Sequence, residues 1–264
     1  MNSIDTGSIP PDRNLHIAIT VLDSDSGSKT PNNHILNVIS QPSRISSFVR
    51  TILHFSITKF PSVYFSISPF GLNGLDPILQ QNVNVVLAAV ARDGLALAFA
   101  SDLFKANRQI VGRAVTQDGN ALEFACNALK KDKDVVLAAV TQNGQALQFA
   151  DPELEKNIEV VKAAVTHSPW TLGLAHQDLR NNKEVVLAAV SKDGGTLLHA
   201  SDTLKDDKEV VLAATANYGR ALEWASPRLR DDIDIVRVAV ANNPTALCFA
   251  THEVKHAMKP VNMF

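Results

Sequence analysis

The residues whose types and spacing come nearest to known chemistry stand late in the chain. His252-Glu-Val-Lys-His256 satisfies the H-E-x-x-H pattern. On a helix, two histidines four apart share one face and can ligate zinc, with Glu253 as general base for metal-assisted hydrolysis. Three features place this reading below the others. The string is in register with Pro227-Arg-Leu-Arg-Asp231, which gives Val254 an apolar core position. No Asp, Glu, His or Cys follows His256 to serve as a third ligand, and Lys259 stands where the longer zincin signature needs Gly. His252 and His256 are therefore secondary metal candidates, and no cofactor is expected. His199 replaces an aromatic residue (Phe99, Phe124, Phe149, Trp224, Phe249) and reads as a satisfied core histidine rather than a base. Cys126 and Cys248 lack a repeated His partner that would activate a thiolate. No Gly-rich phosphate loop follows a strand, and the Asp-Gly pairs read as helix stops. No catalytic residue is assigned, and the chain is read as non-enzymatic.

The elements that position these residues obey a fixed period of 25. Val86, Val111, Val136, Val161, Val186, Val211 and Val236 stand in one register. Leu97, Leu122, Leu147, Leu172, Leu197, Leu222 and Leu247 stand in another, as do the alanines from Ala89 to Ala239 and from Ala100 to Ala250. A period of this size is the signature of a solenoid. Four residues before each valine comes Asn82, Asn107, Asp132, Asn157, Asn182, Asp207 or Asp232, each suited to cap a helix N-terminus. The acids Asp134, Glu159, Glu184, Glu209 and Asp234 follow in the first turn, where the helix dipole favours them. Val-Val-Leu-Ala-Ala-Val then predicts a helix apolar on nearly every side, hence buried. A turn with Gly94, Gly119, Gly144, Gly194 and Gly219, or Pro169 and Pro244, is expected to end it through a left-handed glycine or a proline. A second helix carries Leu97, Ala100 and Phe104, and Asp151-Pro152 and Ser226-Pro227 open one more short turn. Helices this short are marginal alone, so stability must come from stacking. A rival reading makes the valine run a strand of a leucine-rich-repeat horseshoe; the Asn/Asp caps oppose it. The expected fold is all-α: a right-handed alpha-solenoid of seven 25-residue helical-hairpin repeats over 74–264, behind a separate N-terminal segment, 1–73.

That first segment is rich in Ser, Pro and Asn. Residues 15–22 and 62–68 alternate as short strands do, and 23–33 read as a loop. Ile45, Phe48, Val49, Ile52 and Phe55 recur at helical spacing beside Arg44, Arg50 and Lys59. This stripe is expected to cap the solenoid; docking of residues 44–70 on a membrane surface is the alternative. At the other end, Pro260 breaks an eighth repeat, and Met258, Met263 and Phe264 are candidates to shield the last helices. A net charge of −2 predicts no strong attraction to nucleic acid or anionic lipid. Two cysteines at unrelated repeat positions fit a reducing compartment, and the N-terminus lacks secretory-signal features. No apolar run is long enough to span a membrane.

Residues 25 apart stack into ladders, and rungs not needed for packing are free to recognise partners. One ladder, in the turn after the first helix, runs Arg92, Gln117, Gln142, His167, Lys192, Asn217, Asn242. Beside it stand Leu95, Asn120, Gln145, Trp170, Gly195, Arg220 and Thr245, with Tyr218 adjacent. Polar groups mixed with single aromatics and Arg resemble the make-up of binding hot spots. Arg92, Gln117, Gln142, His167, Trp170, Lys192, Tyr218 and Arg220 are the candidate protein-binding residues. A second ladder, Lys105, Lys130, Glu155, Arg180, Lys205, Arg230, Lys255, is mostly basic and reads as a solvated edge answering the acids at the helix caps. Nucleic acid is not expected there, because acids interleave.

Asn182-Lys-Glu-Val-Val-Leu-Ala-Ala-Val-Ser-Lys-Asp-Gly194, its counterpart from Asp207, and the run Ala221-Leu-Glu-Trp-Ala-Ser-Pro-Arg-Leu-Arg230 resemble the repeat called domain of unknown function 4116. The resemblance covers residues 76–256. Asp234-Ile-Val-Arg-Val-Ala-Val-Ala-Asn-Asn-Pro244 is also similar to leucine-rich-variant repeats, likewise an all-helical solenoid. Such repeats occur in protists, large viruses and intracellular bacteria. The resemblance therefore implies an effector-like protein acting in a host, secreted without a classical signal peptide, or else a cytoplasmic one. The expected function is a protein–protein interaction scaffold with a protein partner. A membrane-surface adaptor is the alternative, and a zinc hydrolase through His252, Glu253 and His256 comes last.

Overall fold

The computed structural model describes Thr58, residues 71–75 and residues 77–258. The expected strands at 15–22 and 62–68, the loop at 23–33, the stripe at 45–55, the membrane-docking stretch at 44–70 apart from Thr58, and Pro260, Met263 and Phe264 lie outside the described residues.

Seven α-helices recur at the period of the sequence: α1 (Val83–Arg92), α2 (Arg108–Gln117), α3 (Lys133–Gln142), α4 (Ile158–His167), α5 (Lys183–Val190), α6 (Lys208–Asn217) and α7 (Ile233–Asn242). The valine run is thus helical, and the horseshoe reading falls. Each helix opens on the expected cap. The Asp132 side chain accepts from Asp134 and Val135 N–H, and Asn82, Asn107, Asn157, Asp207 and Asp232 do the same in their repeats. Asn182 accepts from Val185 alone. Each such cap contributes about 1 kcal/mol. The helix stop differs from expectation. None of the described glycines takes a left-handed φ. The helix ends instead on an extended residue such as Asp93 (φ −139°, ψ 106°), whose N–H returns to Ala89 O. Its side chain then accepts from Leu95 N–H, so Asp-Gly opens the next element as well as closing the last.

That next element is a six-residue 3-10 helix, Gly94–Phe99 in the first repeat and Pro244–Phe249 in the last. With three residues per turn, Leu97 and Ala100 eclipse one another toward the core. Extended backbone at Ala100 and Ser101 breaks the chain, and a separate four-residue turn, Asp102–Lys105, follows. Each repeat therefore holds three helical pieces rather than two. Asp151 and Ser226 cap their turns ahead of Pro152 and Pro227, as expected.

The long helices pack as one layer and the 3-10 helices as a second, each piece touching its own repeat and the neighbouring ones. Val85, Val86, Val90, Leu97 and their counterparts fill the core between the layers. Full burial of such side chains stabilises by roughly 1.5–3 kcal/mol apiece. Leu72, Leu75 and Leu79 cover the first repeat, and Gln80 donates to Leu72 and Leu75 O at 3.1 Å. Leu72 stands 25 residues before Leu97, so the described chain is already in register ahead of residue 74.

Three sets of bonds staple repeat to repeat. At the entrance of the long helices, Arg108 reaches Asp132 and Asp134, Lys183 reaches Asp207 and Glu209, and Lys208 reaches Asp232 and Asp234. Lys133–Glu159 and Lys162–Glu184 extend the series. The partner cation, hydrogen-bonded to each, holds the Asp132, Asp207 and Asp232 carboxyls below the usual range. At the short turns, one backbone bond joins successive repeats, as in Cys126 N–H to Lys105 O at 2.9 Å and Ser201 N–H to Arg180 O at 2.9 Å. The third set, at the exit of the long helices, bears directly on the candidate site.

Candidate functional site

The turn ladder proposed for recognition proves in part to be that third set of staples. Gln117 Oε1 accepts from Gly94 N–H at 2.6 Å while its Nε2 donates to Arg92 O at 3.1 Å. Gln142 does the same toward Gly119 N–H and Gln117 O. Asn217 and Asn242 repeat the arrangement on Gly194 and Gly219. These glycines are present for close approach: a Cβ at Gly94 would lie 2.5 Å from Ala114 O. Gln117 and Gln142 thus spend their amide groups within the protein.

Two successive rungs escape this pattern. His167 turns back, its Nδ1 3.0 Å from Ala163 O, and the structure records no hydrogen bond from it to Gly144. In the fourth repeat Pro169 replaces the glycine and has no N–H to offer. The facing helix α5 stops at Val190, and Lys192 stands exposed beyond its end. Here the indole of Trp170 is 45% exposed, its Nε1 donating to Asp193 at 2.8 Å and so bridging the fourth and fifth repeats. The ring lies against Gly195, where a Cβ would come within 3.1 Å of it, and meets His199 edge-on at 5.7 Å. His199 in turn fits against Gly173. The signal for this cluster was legible as two glycines at rungs that elsewhere hold side chains, but only once Trp170 is known to reach one repeat onward and His199 one repeat back.

The onward reach recurs in Arg220, which lies over the Phe249 ring of the next repeat at 5.5 Å, while Tyr218 stacks on Trp224 of its own repeat at 6.3 Å. The outer surface of the 3-10 layer is therefore one face: a central aromatic row, with the Trp170 and Arg220 rungs along one side. Arg180 and Lys205 of the basic ladder lie near enough to His199 to act on it electrostatically. Burial first, then these two cations, hold the His199 pKa below its ordinary value. Leu95, Phe99, Trp170, Leu198 and Tyr218 are all exposed on this face, whereas the described long-helix layer exposes only Val83 and Ile158 among large apolar residues. Arg92 ends α1 at the near end of the turn ladder.

His252 and His256 are exposed on a six-residue helix, His252–Ala257, while Val254 is buried as expected. Among the described residues no third His, Cys, Asp or Glu gathers with them. Cys126 and Cys248 are separate free thiols. Among the described residues no helix is long and apolar enough to cross a membrane.

A family model described as domain of unknown function (DUF4116) matches residues 82–130, 113–155, 132–180, 157–205, 182–230 and 207–255. Neither the comparison with curated proteins nor that with solved structures returned a match.

Proposed function

Because the chain belongs to the DUF4116 repeat family, whose repeats stack here into an extended helical face, we propose that it is a non-enzymatic scaffold that binds a protein partner along its 3-10 face. The observation that carries this reading is the interruption of the amide staples. Where the staples persist, the turn ladder is committed to packing. Where they lapse, at His167 and Lys192, an indole is held rigid at the surface by Asp193 and Gly195. A rigid exposed aromatic flanked by a cation gives large contact area at small entropic cost, as hot-spot residues do. Tyr218 and Arg220 extend the same surface two repeats onward.

The test is a crosslinking pull-down with the full chain and a W170A/Y218A/R220A variant, with circular dichroism as a check on folding. The expected result is a specific partner captured by the wild type and lost by the folded variant. Undiminished capture by the folded variant would remove this face from consideration.

A further inference from the structure

We propose that the 3-10 face of the fourth to seventh repeats binds an acidic peptide segment in the polyproline II conformation, laid along the solenoid with a carboxylate at every third residue. This rests on the reading of the face as a protein-binding surface and names the chemistry of the partner.

The first argument concerns counter-charge. The acids at the helix caps, expected to answer the basic ladder, are instead taken by Arg108, Lys133, Lys162, Lys183 and Lys208. Arg180 and Arg230 make no ion pair among the described residues, Lys205 has only Asp202 at 3.9 Å, and Lys255 donates to Cys248 O. In a chain of net charge −2, the cations of this row are left without a close carboxylate, apart from Asp202 beside Lys205. The second argument is that the row is held in place. Arg180 and Arg230 are half-buried, and the Nε of each is shielded from solvent without an acceptor. An Arg fixed by packing of its stem presents its charge at less entropic cost than a free one.

Spacing selects the ligand. Helices packed side by side lie roughly 8–10 Å apart, so the cations recur at about that interval. A polyproline II chain rises about 3.1 Å per residue with three residues per turn, so each third side chain points the same way after about 9 Å. Aromatic rows are the usual floor for such a chain, and His199, Trp224 and Phe249 lie beside Arg180, Lys205 and Arg230 in the repeats. A nucleic acid fits less well. Glu155 interrupts the basic ladder, and Glu223 and Glu253 are exposed in the last repeats. A phosphate on every residue would meet them, whereas a carboxylate on every third need not.

The experiment is fluorescence anisotropy of a labelled peptide of Glu-Pro-Leu repeats with the full chain, at low and high salt. Controls are the peptide with Lys in place of Glu, an equally charged peptide with Glu at every second position, and single-stranded oligothymidine. Binding of the first peptide that weakens with salt and exceeds all controls is expected. R180Q/R230Q, with its melting checked, should lose on the order of tenfold in affinity, and K205Q should lose part of that. Equal binding of the charge-reversed peptide, tighter binding of oligothymidine, or no binding of the acidic peptide would overturn the proposal. These measurements use the wild-type chain, so they stand even if the arginine variant unfolds. A pull-down partner lost on W170A/Y218A/R220A but unaffected by R180Q/R230Q would sink the acidic-segment idea while leaving the protein-binding face intact.

Discussion

Gly94 and Gly112 carry opposite predictions. A Cβ at Gly94 would press on the Ala114 carbonyl and the Asp118 backbone of the next repeat, so Gly94→Ala should destabilise by about 1–3 kcal/mol. Gly112 lies inside α2 with nothing within 4 Å, and Gly112→Ala should stabilise by about 0.5–1 kcal/mol. Urea titration of both variants measures the difference, and equal shifts would refute the close-approach account. The sequence announced that a small residue was needed in the turn but not why, since a left-handed stop and a close contact leave the same letter. His199 carries a pH prediction. Its folded pKa lies below the ordinary value, so the unfolded chain binds the extra proton more readily. Its contribution is therefore complete above about pH 6.5 and declines as pH falls through that value toward the lowered one. His199→Phe, the residue type at this position in four other repeats (Phe99, Phe124, Phe149, Phe249), should flatten this part of the stability-versus-pH curve; an unchanged slope would count against the shift.

The long helices were the most legible elements, because their caps are local: an Asn or Asp bonds N–H groups two and three residues on, and the sequence shows both ends of the bond. Asp207 adds an interaction the sequence concealed, its second oxygen taking Lys183 from one repeat earlier at 2.8 Å. Asp207→Ala should cost about 1–2 kcal/mol, whereas Asp207→Asn keeps the cap and loses only a screened ion pair of about 0.2–1 kcal/mol. Thermal melts of the pair decide whether cap or charge dominates. The lowered carboxyl adds an acid-side term, present above about pH 4 and lost as pH falls through the folded value, and the Asn variant should lack it. The 3-10 helices were read as ordinary second helices because Leu97 and Ala100 at i and i+3 suit both geometries. Only the extended Ala100-Ser101 pair separates them, and nothing in those two letters requires it.

At the scale of the whole molecule, stability is a sum over repeats and the joins between them. The period gave the number of joins, but their strengths depend on which backbone group each ladder side chain meets, and that is invisible along one strand of text. Gln117, Gln142, Asn217 and Asn242 looked like the same open surface as Trp170, yet they are committed to neighbouring backbone. The join between the third and fourth repeats lacks the amide staple, and no indole bridge replaces it as Trp170–Asp193 does one join later. It keeps Lys133–Glu159 and the His176 N–H to Glu155 O bond. That makes it the place where the array should open first. His167→Gln supplies both halves of the missing staple, accepting from Gly144 N–H and donating to Gln142 O, and should stabilise by about 0.5–1.5 kcal/mol. Native-state hydrogen exchange should show amides of α4 less protected than those of α2 in the wild type, with the gap narrowing in His167→Gln. Uniform protection across both helices would mean that core packing, which is continuous through this join, outweighs the staples, and the array would then open from its ends.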